Sequence, residues 1–169
     1  MTGALIDDAL GEVRKVGDTY EVIFERRLKR PIEKVWAAIT VPERIAEWFT
    51  EATVDLRIGG TVTLNWPEDN YRMSGVIIEL DPPRLFAWTW PHEQHPDSVV
   101  RWELSPDGDG CRLTLTQTGM VDPVLRSVAA GWHTYLECLA GGVDGIHTPW
   151  QAAREAALLE RYKAVALPG

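Results

Sequence analysis

The chain has 169 residues and a mass of 19.0 kDa, the size of one domain and too small for two ordinary ones. With 45% apolar and 25% charged residues it has the composition of a globular protein, and a net charge of −8 repels nucleic acid. No apolar run exceeds Val35–Ile39, so neither a transmembrane helix nor any membrane insertion is expected. The first residues carry Asp7 and Asp8 and no basic stretch before an apolar block. No secretory signal is therefore expected, and the cytoplasm is the default address. Cys111 and Cys138 are too few for a disulfide framework and have no metal-type spacing. Tryptophan dominates the aromatic residues, eight against four tyrosines and three phenylalanines, and a core this small rarely needs so many.

In chain order, residues 11–16 and 20–29 read as two strands joined at Gly17-Asp18, a hairpin signal. Pro31 sets a helix start, with Ile32, Val35, Trp36 and Ile39 on one apolar stripe. Thr40-Val-Pro-Glu43 resembles a capping box that opens a second short helix, with Ile45, Trp48 and Phe49 on its inner side. Residues 53–58 then read as a strand ending at Gly59-Gly60, and residues 61–66 alternate Val62, Leu64, Trp66 with polar neighbours. Residues 71–80 stop at Asp81-Pro-Pro83, and residues 85–90 stop at Pro91. Residues 98–104 and 111–118 flank the turn Asp107-Gly-Asp-Gly110. Connections this short imply an antiparallel meander.

The last third is helical. Leu125, Val128, Ala129, Trp132, Leu136 and Leu139 recur at helical spacing until Gly141-Gly142, which reads as a break. Only Arg126 and Glu137 are charged between Val124 and Ala140, so this helix must be covered on more than one side. An α+β fold follows, a curved antiparallel sheet closing around a long helix. A more charged helix, about residues 148–166 with Leu158, Tyr162 and Val165 on one stripe, is expected to pack outside.

The order of elements is that of the helix-grip fold, and the residues resemble a known family within the START-like, or SRPBCC, superfamily. It is the family of homologues of the activator of the 90-kDa heat-shock-protein ATPase. The matching words are Arg30-Pro-Ile-Glu-Lys-Val-Trp-Ala-Ala-Ile-Thr40, Pro42-Glu43 with Trp48, and Arg57-Ile-Gly-Gly60. They continue with Gly75-Val-Ile-Ile-Glu79, Asp81-Pro-Pro-Arg-Leu85 with Trp88, Trp102-Glu-Leu-Ser-Pro106, and Gly131-Trp132 with Leu136 and Leu139. With no internal repeat and no low-complexity segment, a single domain over residues 1–169 is expected, with about residues 1–9 as a flexible segment. The resemblance implies a cavity between sheet and closing helix, and a link to the stress response. The family often has histidine where Gln117 stands, so no role of that histidine carries over. About twenty residues precede the strand at Tyr20, whereas the eukaryotic co-chaperones bring a separate gripping domain there, so chaperone activation is not expected of this chain alone.

His92-Glu-Gln-His95 has histidines at i, i+3 between prolines, not the i, i+4 of a helical zinc site, and reads as a solvated hairpin loop. Cys111 and Cys138 read as buried inert thiols. His133 is expected at the wet edge of the closing helix, with acid–base work on a bound ligand as the alternative. Arg101 and Glu103 read as an ion pair on an outer strand face, the alternative being an inward polar pair. Trp36 and Trp48 look like helix-to-sheet packing, and Trp66, Trp102 and Trp132 lie on inward stripes. Which face of the strand carrying Trp88 and Trp90 points inward stays open. Indoles gathered in one interior either fill it or wall a cavity, and Ala129-Ala130-Gly131 leaves room beside Trp132.

The expected function is small-molecule binding, of an apolar or aromatic ligand, in a cavity lined by Trp48, Trp66, Met73, Trp88, Trp102, Gln117, Trp132, His133 and Leu136. No catalytic residue, metal ligand or cofactor is assigned, and a non-enzymatic role is favoured. A co-chaperone-like module whose partner is another protein is the first alternative. A cyclase-, aromatase- or hydrolase-like enzyme using the same cavity is the second. Oligomeric state stays open.

Overall fold

The computed structural model describes residues 9–93 and 97–169. Most of the segment expected to be flexible, residues 1–8, lies outside them, as does His95 of the histidine loop. Strands β1 (Glu12–Val16) and β2 (Thr19–Leu28) form the opening hairpin, turning at Gly17, whose φ of +60° favours a residue without a Cβ. Helices α1 (Ile32–Thr40) and α2 (Pro42–Ile45) follow, then β3 (Glu51–Val54), β4 (Thr61–Trp66), β5 (Tyr71–Asp81) and β6 (Leu85–Thr89). Strands β7 (Val99–Asp107) and β8 (Gly110–Met120) complete the meander before α3 (Val124–Gly142) and α4 (Ala152–Lys163). The strands form one antiparallel sheet in the order β1-β2-β8-β7-β6-β5-β4-β3. Pairing of β2 with β8 brings the start of the chain beside the end of the meander, so α3 emerges at the middle of the sheet and lies across its inner face.

Burial follows the alternation read from the sequence. Along β8, Leu113 and Leu115 are wholly buried, while Arg112, on the opposite face of the strand, is exposed. Trp88 and Phe86 on β6 are buried toward the core, and Trp90 follows Trp88 on the same side with the rings 5.5 Å apart. The open question about that strand is thereby answered. Arg101 pairs with Glu103 at 2.8 Å and Glu79 at 3.0 Å on the partly exposed outer face.

Three local expectations are corrected. Strand β3 covers residues 51–54 rather than 53–58, because the chain turns at Asp55: Arg57 N–H donates to the Asp55 carbonyl and Gly60 N–H to the Arg57 carbonyl. Leu56 and Ile58, which carried the apparent alternation, are exposed in that turn. The capping box does not form. Thr40 is still the last residue of α1, and its hydroxyl donates back to the Trp36 carbonyl at 2.7 Å, leaving Val41 to precede α2. Helix α3 ends at Gly142, as the Gly141-Gly142 pair suggests; a Cβ on Gly142 would lie 2.8 Å from the Trp48 side chain, so this glycine also allows close packing. His133 is not at a wet edge but fully buried, its Nδ1 2.8 Å from the Tyr162 hydroxyl and its ring edge-on to Phe24. Neighbouring helical residues point about 100° apart, so His133 turns toward Tyr162 and Phe24 while Trp132 faces the cavity.

Helix α4 packs on the outer side of α3 through Leu158 and Tyr162, both buried. Arg154 on α4 makes a forked pair with Glu137 on α3, and Arg126 on α3 donates to the Tyr162 and Val165 carbonyls at the end of α4. The Tyr162 hydroxyl also accepts from the Gly11 amide at 2.8 Å, so one phenol ties β1's approach to both helices. Tyr162→Phe should cost about 1–3 kcal/mol, because it strands a buried amide N–H. Urea unfolding of the two proteins checks this; equal midpoints would show the network to be idle.

Candidate functional site

Antiparallel pairing sets the end of one strand beside the start of the next. The start of β5, the end of β6, the start of β7 and the end of β8 therefore meet at one edge of the sheet, under the first half of α3. There the inner face and the helix do not close on each other, and a cavity of about 240 Å³ remains. Among the described residues its sheet side is formed by Tyr71, Trp90, His92, Ser98, Gln117 and Met120. The helix side is Val124, Val128, Gly131, Trp132 and Tyr135, and Phe49 after α2 forms one end. Val124, Val128, Gly131 and Tyr135 stand at i, i+4, i+7 and i+11, a stripe beside the one carrying Leu125, Ala129, Trp132 and Leu136. Gly131 is the gap in the roof: a Cβ there would meet nothing within 4 Å.

Trp132 is the centre of the wall. Its ring lies 5.7 Å from Trp102 and 6.0 Å from Trp90, both edge-to-face, and 5.2 Å from Phe49. Its Nε1–H donates to Gln117 Oε1 at 2.6 Å, and Gln117 Nε2 donates to Ser98 Oγ at 2.9 Å. Trp66 and Trp90 behave alike, donating to the hydroxyls of Tyr135 at 3.0 Å and Tyr71 at 3.3 Å. Burial raises the Tyr135 phenol above its ordinary range, with the Trp66 bond opposing, so it is a neutral donor at physiological pH.

Of the residues expected to line the site, Gln117 and Trp132 do border this cavity. Trp48, Trp88 and Trp102 pack together behind Trp132 around a crevice of about 10 Å³, too small for a ligand. Trp66 stands beside Tyr71 and Trp90 and borders a second, larger hollow of about 630 Å³. Met73 and Leu136 are packed in the core, and His133 lies on the far flank of α3. Phe49, Tyr71, Trp90, Ser98 and Tyr135 were not expected at the cavity. For Tyr135 the signal was present, since it follows Trp132 by three residues and Gly131 by four. Phe49 and Tyr135 meet edge-to-face at 4.6 Å and divide the cavity from the second hollow, whose other walls include Glu51, Glu68, Asp69 and Trp150.

The remaining reactive groups lie elsewhere. Burial pushes the Cys111 thiol up to about 11 and raises that of Cys138, so both are protonated, poor nucleophiles at neutral pH. Any stability that the Cys111 thiol gives through this shift holds below pH 9 and is lost as pH rises toward 11, where the unfolded thiol ionises first. Among the described residues no group of three or more histidine, cysteine or acidic side chains could hold a metal ion. No helix there is long and apolar enough to cross a membrane.

A curved antiparallel sheet gripping one long helix, with an apolar cavity at the helix's first half, defines a helix-grip domain. The chain belongs to the family described as activator of Hsp90 ATPase homolog 1-like protein, whose model matches residues 29–143. Among solved structures it is similar to CalU16 from Micromonospora echinospora, at 32% identity over 92% of this chain and 94% of that one, with a TM-score of 0.74. The protein encoded by gene BPP1335 from Bordetella parapertussis is 27% identical over 95% and 94% of the two chains, with a TM-score of 0.71. The Aha1 dimer from Colwellia psychrerythraea is 13% identical over 73% and 95%, with a TM-score of 0.65, a likeness of fold alone. Comparison with curated proteins finds no match.

Proposed function

We propose that this chain is a single-domain binding protein for a small, largely apolar aromatic molecule, held in the cavity beneath Gly131. The observation that carries the reading is the pairing of that roof gap with walls of Trp132, Trp90, Phe49 and Tyr135. Apolar contact would supply most of the affinity, at roughly 25 cal/mol per Å² removed from water. The few polar groups of the wall would orient the ligand. A hydrolytic role is less well supported, because Ser98 faces the amide of Gln117, which cannot take up its proton. Two free, buried cysteines accord with a reducing, cytoplasmic setting.

Calorimetric titration with naphthalene tests the reading. Saturable binding of one molecule per chain, with loss of indole emission, is expected. A protein folded by circular dichroism that binds neither naphthalene nor other aromatic and fatty ligands would leave the indoles as core filling, and the reading would fall.

A further inference from the structure

The wall of the cavity has a hydrogen-bond polarity, and Trp132 sets it. An indole nitrogen can only donate. With Trp132 Nε1 2.6 Å from the Gln117 side chain, the amide must present its oxygen to the indole and its NH₂ group to Ser98. Ser98 Oγ must then accept that N–H, and its own hydrogen is left to be donated elsewhere. Among the described residues, Trp132 and Ser98 are the only side-chain partners of Gln117, and Gln117 the only one of Ser98. Among the described residues, the hydroxyl hydrogen of Ser98 and the second amide hydrogen of Gln117 thus find no acceptor. Both residues are more than nine-tenths buried and both line the cavity. The tyrosines repeat the pattern at its rim, since the hydroxyls of Tyr71 and Tyr135 each accept from an indole and keep their own hydrogen to give.

A buried donor without an acceptor is costly, whereas an acceptor brought by a ligand satisfies it in a site where water competes little. We propose that the cavity selects aromatic ligands bearing a carbonyl-type oxygen, docked on the Ser98 hydroxyl and the Gln117 amide. This rests on the binding reading above and specifies the class of ligand. The Gln117 carbonyl is already engaged by Trp132, so this amide offers a ligand its N–H and not its oxygen.

The test compares 1-tetralone with tetralin, two ligands of nearly equal shape that differ by one carbonyl oxygen, by calorimetry on the wild-type chain and on Ser98→Ala. A wall without donors would favour tetralin, because the carbonyl would leave its water unreplaced. The expected result is that the wild type binds tetralone at least as tightly as tetralin. Ser98→Ala is expected to weaken tetralone about tenfold and to leave tetralin within about twofold. Several-fold preference of the wild type for tetralin would overturn the proposal while leaving the cavity in use. So would an equal effect of Ser98→Ala on both ligands. Binding of neither ligand would overturn the cavity reading and the proposal with it. Ser98→Cys, close in size and a weak donor, is expected to behave like the alanine variant; retention of full tetralone affinity by both would likewise refute the assignment.

Discussion

Replacing Gly131 with leucine is expected to abolish ligand uptake while making the fold more stable. Both effects come from one feature, the empty space over its Cα, where a Cβ would touch nothing within 4 Å. A leucine side chain there projects into the 240 Å³ cavity and occupies the place of the ligand ring. Naphthalene affinity should fall by about 100-fold or more, as expected when most of a small apolar contact surface is lost. Stability should rise by about 0.5–1 kcal/mol, because glycine is a poor residue inside a helix and leucine a good one. The neighbouring change gives the control. Ala130 is wholly buried and does not border the cavity, so Ala130→Leu overpacks the core and should cost about 1–3 kcal/mol. Calorimetry and urea unfolding read both outcomes. Unchanged naphthalene affinity in Gly131→Leu would move the ligand elsewhere, with the hollow beyond Phe49 and Tyr135 as the next place to look.

That contrast also marks how far the sequence could be read. Periodicity sufficed for the fold, since period-two strands with short turns and one nearly uncharged helix leave few ways to bury the apolar face. It placed Trp132 and Gln117 on inward positions of long, regular elements, and both border the cavity. It failed where facing depends on distances rather than on pattern. Trp48 and Trp102 meet edge-to-face at 5.9 Å and, with Trp88, surround a crevice of about 10 Å³ instead of lining the cavity. Gly142 ends α3 as its sequence suggests, but its close approach to Trp48 lies across the fold and leaves no mark in the local pattern. Assigning His133 to the cavity overlooked the angular step between adjacent helical residues, which put it against Tyr162. A cavity is a place where side chains fail to meet, and no single strand or helix records that in its own pattern.

Trp132→Ala should be among the most destabilising single changes in this chain, at about 3–5 kcal/mol. The indole is nearly buried, contacts Trp90, Trp102 and Phe49, and satisfies the buried oxygen of Gln117. Removing it enlarges an existing void and leaves that oxygen without its donor. Trp132→Phe separates the two contributions, keeping an aromatic ring while deleting the N–H, and should cost about 1–3 kcal/mol. Its more telling effect is on selectivity. Without the indole to hold its oxygen, the Gln117 amide is free to turn over and present that oxygen to Ser98, which would then donate to it. The Ser98 hydrogen would be spent within the protein, and the preference for a carbonyl-bearing ligand should fall even though Ser98 and Gln117 are both intact. Trp132→Phe that loses stability but keeps wild-type discrimination between 1-tetralone and tetralin would show that the indole supports the wall without setting its polarity.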